Sequence, residues 1–90
     1  MTTYTVPDDI IITELDNSEA ILLDMRNKRY YSLNETGLFI VKGIRSKLSH
    51  DRIIESLMSA YDVTRRKAAT SVDALIKRLL ALTLLEENGT

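Results

Sequence analysis

Three apolar runs stand so close together in the first third of the chain that only one arrangement is open to them. They are "DIIITEL" (9–15), "EAILLDM" (19–25) and "KRYYSL" (28–33), and only "DNS" and "RN" separate them. Isoleucine, leucine and tyrosine at this density favour strands. Parallel neighbours need a crossover of about a dozen residues or more. Gaps of three and two residues allow only antiparallel hairpins, with Asn27 able to take a positive φ cheaply in the second turn. The runs therefore form a meander with 19–25 in the middle. Its continuous apolarity suits a strand covered on both faces. Strand 28–33 is left as an edge, with a row of N–H and C=O groups unmatched along one side. Pro7 has no ladder donor, so the first strand starts after it. Residues 1–6 are polar and are expected to be loose.

The edge strand turns directly into a helix. Asn34 is a good N-cap, and Glu35 suits the first turn. Leu38, Ile40, Val41 and Ile44 then recur at helical spacing. Ser49 caps a second helix carrying Ile53, Ile54, Leu57 and Met58. "DVT" breaks that helix, and Thr64 caps a third over 65–83 with Ala68, Val72, Leu75, Ile76, Leu79 and Leu80. Residues 87–90 read as a loose tail. The order βββααα predicts an α+β domain over residues 1–90: a three-stranded antiparallel sheet followed by three helices, winged helix-turn-helix-like.

Composition excludes several functions. The chain has 90 residues and no cysteine, so neither disulfide nor thiol chemistry is available. His50 is the only histidine, and no carboxylate spacing supports a metal site around it. "SHD" (49–51) holds the letters of a hydrolase triad, but three adjacent residues at a helix start cannot aim at one another, and capping explains Ser49. No glycine-rich loop follows a strand. No catalytic residue, metal or cofactor is expected. A net charge of −1 argues against general nucleic-acid binding. "GLFIV" and "LLALTLL" are too short to span a bilayer, and "MTTYTVPDD" lacks the layout of a signal peptide, so a cytoplasmic location is the default.

Three features leave a choice open. "TRRK" (64–67) opens a helix with three cations, against its dipole. It is either a solvated face or a place where something acidic is met, and the net charge favours a peptide over a phosphate backbone. Tyr30 and Tyr31 point to opposite faces of their strand. Tyr31 goes with Leu33 toward the core, and Tyr30 goes with Lys28 and Ser32 outward, where it is either a structurally indifferent exposed tyrosine or, if the edge takes a partner, a side chain placed to pack on it. The stripe of the third helix is wider than one contact face requires. It is either all core, or Val72, Ile76 and Leu80 line a groove beside strand 28–33.

"ILLDMRNKRYYSLNETG", followed later by "YDVTRRKAA" and "VDALIKRLLALTLLEE", resembles the PqqD-like family, the small recognition elements of clusters that mature ribosomally made peptides. The likeness covers residues 7–86, and "YYSLNETG" is its most specific part. Asn27 stands where the family usually has glycine, and "TRRK" stands where acidic residues often open the last helix. The resemblance implies a non-catalytic domain that binds the leader of a precursor peptide as an added strand, in the cleft between the third strand and the third helix. Carried onto this chain, the binding residues are Lys28, Arg29, Tyr30, Tyr31, Ser32 and Leu33 on the strand, and Arg65, Ala69, Val72, Asp73, Ile76, Lys77 and Leu80 on the helix. It also implies a maturation enzyme as partner: a leader peptidase in a lasso-peptide cluster is favoured, with a radical-SAM enzyme of the pyrroloquinoline quinone pathway as alternative.

Two rival readings remain at this level. A winged-helix DNA-binding protein using "RRK" predicts DNA affinity with a steep salt slope. A structural subunit predicts a dimer paired through strand 28–33, where the favoured reading expects a monomer or weak dimer.

Overall fold

In the computed structural model, residues 2–16 and 18–88 are described. The three apolar runs become β2 (Ile10–Glu14), β3 (Ala20–Asp24) and β4 (Arg29–Leu33), paired antiparallel in the order β2-β3-β4. The register sets Ile12, Leu22 and Tyr31 side by side, and Ile11, Leu23 and Tyr30 in the next row. The alternation of β3 is plain: Ala20, Leu22 and Asp24 are buried, while Ile21 and Leu23 between them are half-buried. The middle strand is thus covered on one face, not on both as its composition suggested.

Asp24 organises the turn into β4. Its carboxylate accepts from the backbone N–H and the Nε of Arg26, and from the backbone N–H and the side-chain amide of Asn27 at 2.9 Å. Those bonds, the Asn27 amide foremost, hold the Asp24 carboxyl below its ordinary range, against the opposing effect of burial. Arg26 also donates to the Thr83 carbonyl, tying the turn to the far end of the chain. Asn27 is committed to Asp24, so Lys28, not Asn27, carries the positive φ, at 56°. Lys28 therefore belongs to the turn and not to the strand.

The helices are α1 (Glu35–Arg45), α2 (His50–Tyr61) and α3 (Arg65–Ala81). Asn34, Ser49 and Thr64 cap them, each side chain accepting from a backbone N–H three residues on. The core lies between the covered face of the sheet and the helices: Leu22, Leu33, Ile40, Val41, Ile44, Ile53, Leu57, Val72, Ile76 and Leu79 are all buried.

The chain ends differ from expectation. β1 (Thr3–Thr5) and β5 (Glu86–Asn88) form a second, two-stranded antiparallel sheet. The pairing takes in residues 3–5 and 87–88 of the segments expected to be loose, together with Glu86; residues 1, 89 and 90 lie outside the described part. The cause is a buried anchor. Tyr4 is 4% exposed, and its hydroxyl meets Nδ1 of His50 at 2.7 Å. Nε2 of His50 meets the Asp73 carboxylate at 2.6 Å, and the His50 backbone N–H donates to the Thr2 carbonyl. Burial first, then the charges of Glu87 and Asp73, push the Tyr4 hydroxyl above its ordinary pKa. His50 thus fastens the terminal ribbon to α2 and α3.

Candidate functional site

Which main-chain groups of β4 are open follows from the phase of the ladder. Leu15 donates to the Glu19 carbonyl and Met25 to the Asp9 carbonyl. Hydrogen-bonded pairs alternate along an antiparallel ladder, so the odd residues of β3 direct their N–H and C=O groups toward β2. The even residues, Ala20, Leu22 and Asp24, then turn toward β4, where their partners are Leu33, Tyr31 and Arg29. The groups of Tyr30 and Ser32 are left pointing outward. Among the described residues no strand pairs with that side of β4. The unmatched row inferred from sequence thus comes down to two residues.

At the Leu33 end of this edge lies a groove. One cavity, of about 590 Å³, is lined by Ser32, Leu33, Asn34, Thr36, Gly37 and Ile40 on one wall, by Ser71, Ala74, Leu75 and Arg78 of α3 on the other, and by Glu19. A second, of about 610 Å³, shares Thr36 and Ser71 with the first and continues past Leu57, Tyr61, Val63, Arg66, Lys67, Ala68 and Thr70. Lys67, Thr70, Ser71, Ala74, Leu75 and Arg78 recur at spacings of three and four, so they form one stripe along α3.

Ser32, Leu33, Asn34, Thr36 and Gly37 of the "YYSLNETG" run build the opposite wall. Leu33 is buried, and Asn34 Oδ1 accepts from the Gly37 N–H at 2.8 Å. A Cβ on Gly37 would come within 3.2 Å of that oxygen and 3.3 Å of Leu33, so glycine lets the cap close against Leu33. The carboxylate of Glu35 accepts from the Tyr61 hydroxyl at 3.1 Å. Burial and then that carboxylate raise the Tyr61 pKa.

The residues expected from sequence do not all meet here. Ser32 and Leu33 line the groove. Arg29 and Tyr31 turn their main chains to β3; Tyr31 is half-buried and packs against the core. Tyr30, 71% exposed, stands on the other face of the sheet. Lys28 is in the turn. On α3 the expected stripe is displaced from the groove wall. Val72 and Ile76 are buried in the core, Ala69 and Leu80 are half-buried against it, Asp73 is bonded to His50, Arg65 faces Asp51 at 3.8 Å, and Lys77 is exposed. The cause is that the apolar stripe of a helix is drawn to the core, which leaves a mixed stripe beside it for a groove. Thr36, Gly37, Ser71, Ala74, Leu75 and Arg78 line the cavity and are not among the residues carried over from the resemblance; the spacing of 67, 70, 71, 74, 75 and 78 is the sequence signal for that wall.

The outer face of the sheet is the other distinctive surface. Ile11, Leu15, Met25 and Tyr30 are exposed large apolar residues, and by alternation all four share the face opposite the core with Ile21 and Leu23. Among the described residues no group of three or more His, Cys, Asp or Glu could hold a metal, and no helix is long and apolar enough to cross a membrane. Ser49 caps α2, its Oγ accepting from the Arg52 N–H.

Element order, open edge and helix-walled groove define a small α+β domain in which β4, one of the two edge strands of its sheet, ends at a cleft. Residues 19–85 match the family described as coenzyme PQQ synthesis protein D (PqqD), and the chain belongs to that family. No curated protein matches it. Two solved structures share its fold. One is TbiB1 in complex with the TbiA(beta) leader peptide, with a TM-score of 0.84, 21% identity, and coverage of 91% of this chain and 94% of the other. The second is a lasso peptide synthetase B1 complexed with the leader peptide, with a TM-score of 0.82, 27% identity, and coverage of 91% and 95%.

Proposed function

We propose that this chain is a non-catalytic binder of the leader segment of a ribosomally made precursor peptide. The leader adds antiparallel to β4 and lays alternate side chains into the groove against α3. The observation that carries this reading is the outward row of main-chain groups at Tyr30 and Ser32, the second of which also lines the groove. The leader peptides bound to both similar structures support it.

The energetics divide the work. Four main-chain hydrogen bonds contribute about 2–6 kcal/mol in all. Ordering a disordered leader costs about 2–5 kcal/mol. Micromolar affinity needs about 8 kcal/mol net, so one or two side chains buried in the groove must supply most of it. The apolar surfaces there are Leu33, Ile40 and Leu75.

Binding would hand the precursor to a maturation enzyme, a leader peptidase of a lasso-peptide cluster in the favoured reading. The exposed face bearing Ile11, Leu23 and Tyr30 would be extended by the added strand, so it offers that enzyme a surface that is complete only when leader is bound.

The test uses a peptide selected from a display library of random linear peptides against the full chain. Ser32→Pro removes an N–H that the fold does not use, and proline is tolerated on edge strands. Loss of peptide binding with an unchanged melting temperature is expected. Unchanged binding would refute strand addition at β4.

A further inference from the structure

The groove does not stop at β4. An antiparallel guest runs from the Leu33 end of β4 toward the Arg29 end, so its residues N-terminal to the paired segment leave the sheet beside Asn34 and Thr36. Thr36 and Ser71 are shared with the second cavity. That cavity has an apolar floor of Leu57, Val63 and Ala68, and Arg66 and Lys67 on its rim. Among the described residues neither cation has a carboxylate within 4 Å, whereas the neighbouring Arg65 faces Asp51 and the nearby Glu35 is engaged by Tyr61.

We infer that the second cavity is a charge-selective subsite of the same groove, taking an apolar leader side chain next to an aspartate or glutamate, with Arg66 and Lys67 as the residues that select the acid. The inference rests on the strand-addition reading above. It also fixes where the acid must lie. The α3 residues of the two cavities centre near Ala68 and Leu75, about 10 Å apart at 1.5 Å per residue. An extended chain covers that distance in about three residues. The acidic position therefore falls about three residues N-terminal to the leader side chain seated against Leu75.

The experiment starts from the peptide best enriched against the full chain in the random library. Its upstream acidic residues are replaced by the matching amides, and both peptides are titrated against wild type and against Arg66→Gln/Lys67→Gln. Replacement should weaken binding about tenfold on wild type and leave affinity unchanged on the double variant. The loss on wild type should shrink as salt is raised. Enriched peptides with no upstream acid, or an equal loss on both proteins, would overturn the subsite. Ser32→Pro is titrated in parallel: if it abolishes binding while the subsite test fails, strand addition stands alone. If peptides bind Ser32→Pro as tightly as wild type, or the selection enriches nothing, both readings fall.

Discussion

Leu75 and Ile76 are neighbours in sequence, yet the structure gives them opposite surroundings. Ile76 is 3% exposed in the core, and Leu75 is half-buried on the groove wall. Truncating each to alanine should separate stability from binding. Ile→Ala in a core costs about 2–5 kcal/mol. Taking about 3 kcal/mol, and about 4–8 °C per kcal/mol for a domain of this size, Tm should fall by about 12–24 °C. Starting from about 5 kcal/mol, the remaining 2 kcal/mol keeps more than about nine-tenths of the molecules folded, so affinity for a selected peptide should barely change. Leu75→Ala removes three carbons, worth about 2.4 kcal/mol if fully buried. About half of that surface is already covered in the free domain, so stability should fall by about 1 kcal/mol and binding by about 1.2 kcal/mol, or about eightfold. Thermal melts and fluorescence-anisotropy titrations on both variants decide the matter. If Ile76→Ala cost more affinity than Leu75→Ala, or the two variants melted together, the assignment of the groove to the mixed stripe of α3 would be wrong.

Three further outcomes are expected. Gly37→Ala should lower stability by about 1 kcal/mol in urea unfolding, because its Cβ would press on a buried Leu33 and on the capping oxygen of Asn34. Tyr4→Phe should cost about 1 kcal/mol and speed amide exchange in β1 and β5 ahead of the rest of the protein, since the hydroxyl bonded to His50 anchors that ribbon. The depressed pKa of Asp24 gives a stability contribution that is complete above the unfolded carboxyl pKa of about 3.9 and is lost as pH falls through the lower folded value. The urea midpoint of the wild type should thus drop below about pH 4, and Asp24→Asn should flatten that part of the profile; an equally steep drop in the variant would mean that other carboxylates cause it.

Local rules made much of the fold legible. Short gaps forced the meander, and Asn34, Ser49 and Thr64 were identifiable as caps because a side-chain oxygen followed by a helical pattern has one good use. The facing of Tyr30 and Tyr31 followed from the period of a strand. The ribbon of β1 and β5 was not legible, since its strands are three residues each and lie more than 80 residues apart. Nothing in "TYT" or "EEN" announces pairing; the buried contact of Tyr4 with His50 supplies it. The choice between core and groove for the stripe of α3 stayed open in the sequence for a related reason. Apolarity marks what a helix buries, and Val72 and Ile76 answered to the core, while the wall was left to Ser71, Ala74, Leu75 and Arg78.

The residues by themselves determined the order of elements, the antiparallel pairing and the existence of an unmatched edge, because those depend on spacing along the chain. Only the tertiary structure decided which groups of that edge face outward, which side of α3 lies against it, and that the two ends of the chain meet. Those are matters of contact between segments remote in sequence, and no local pattern of side chains carries them.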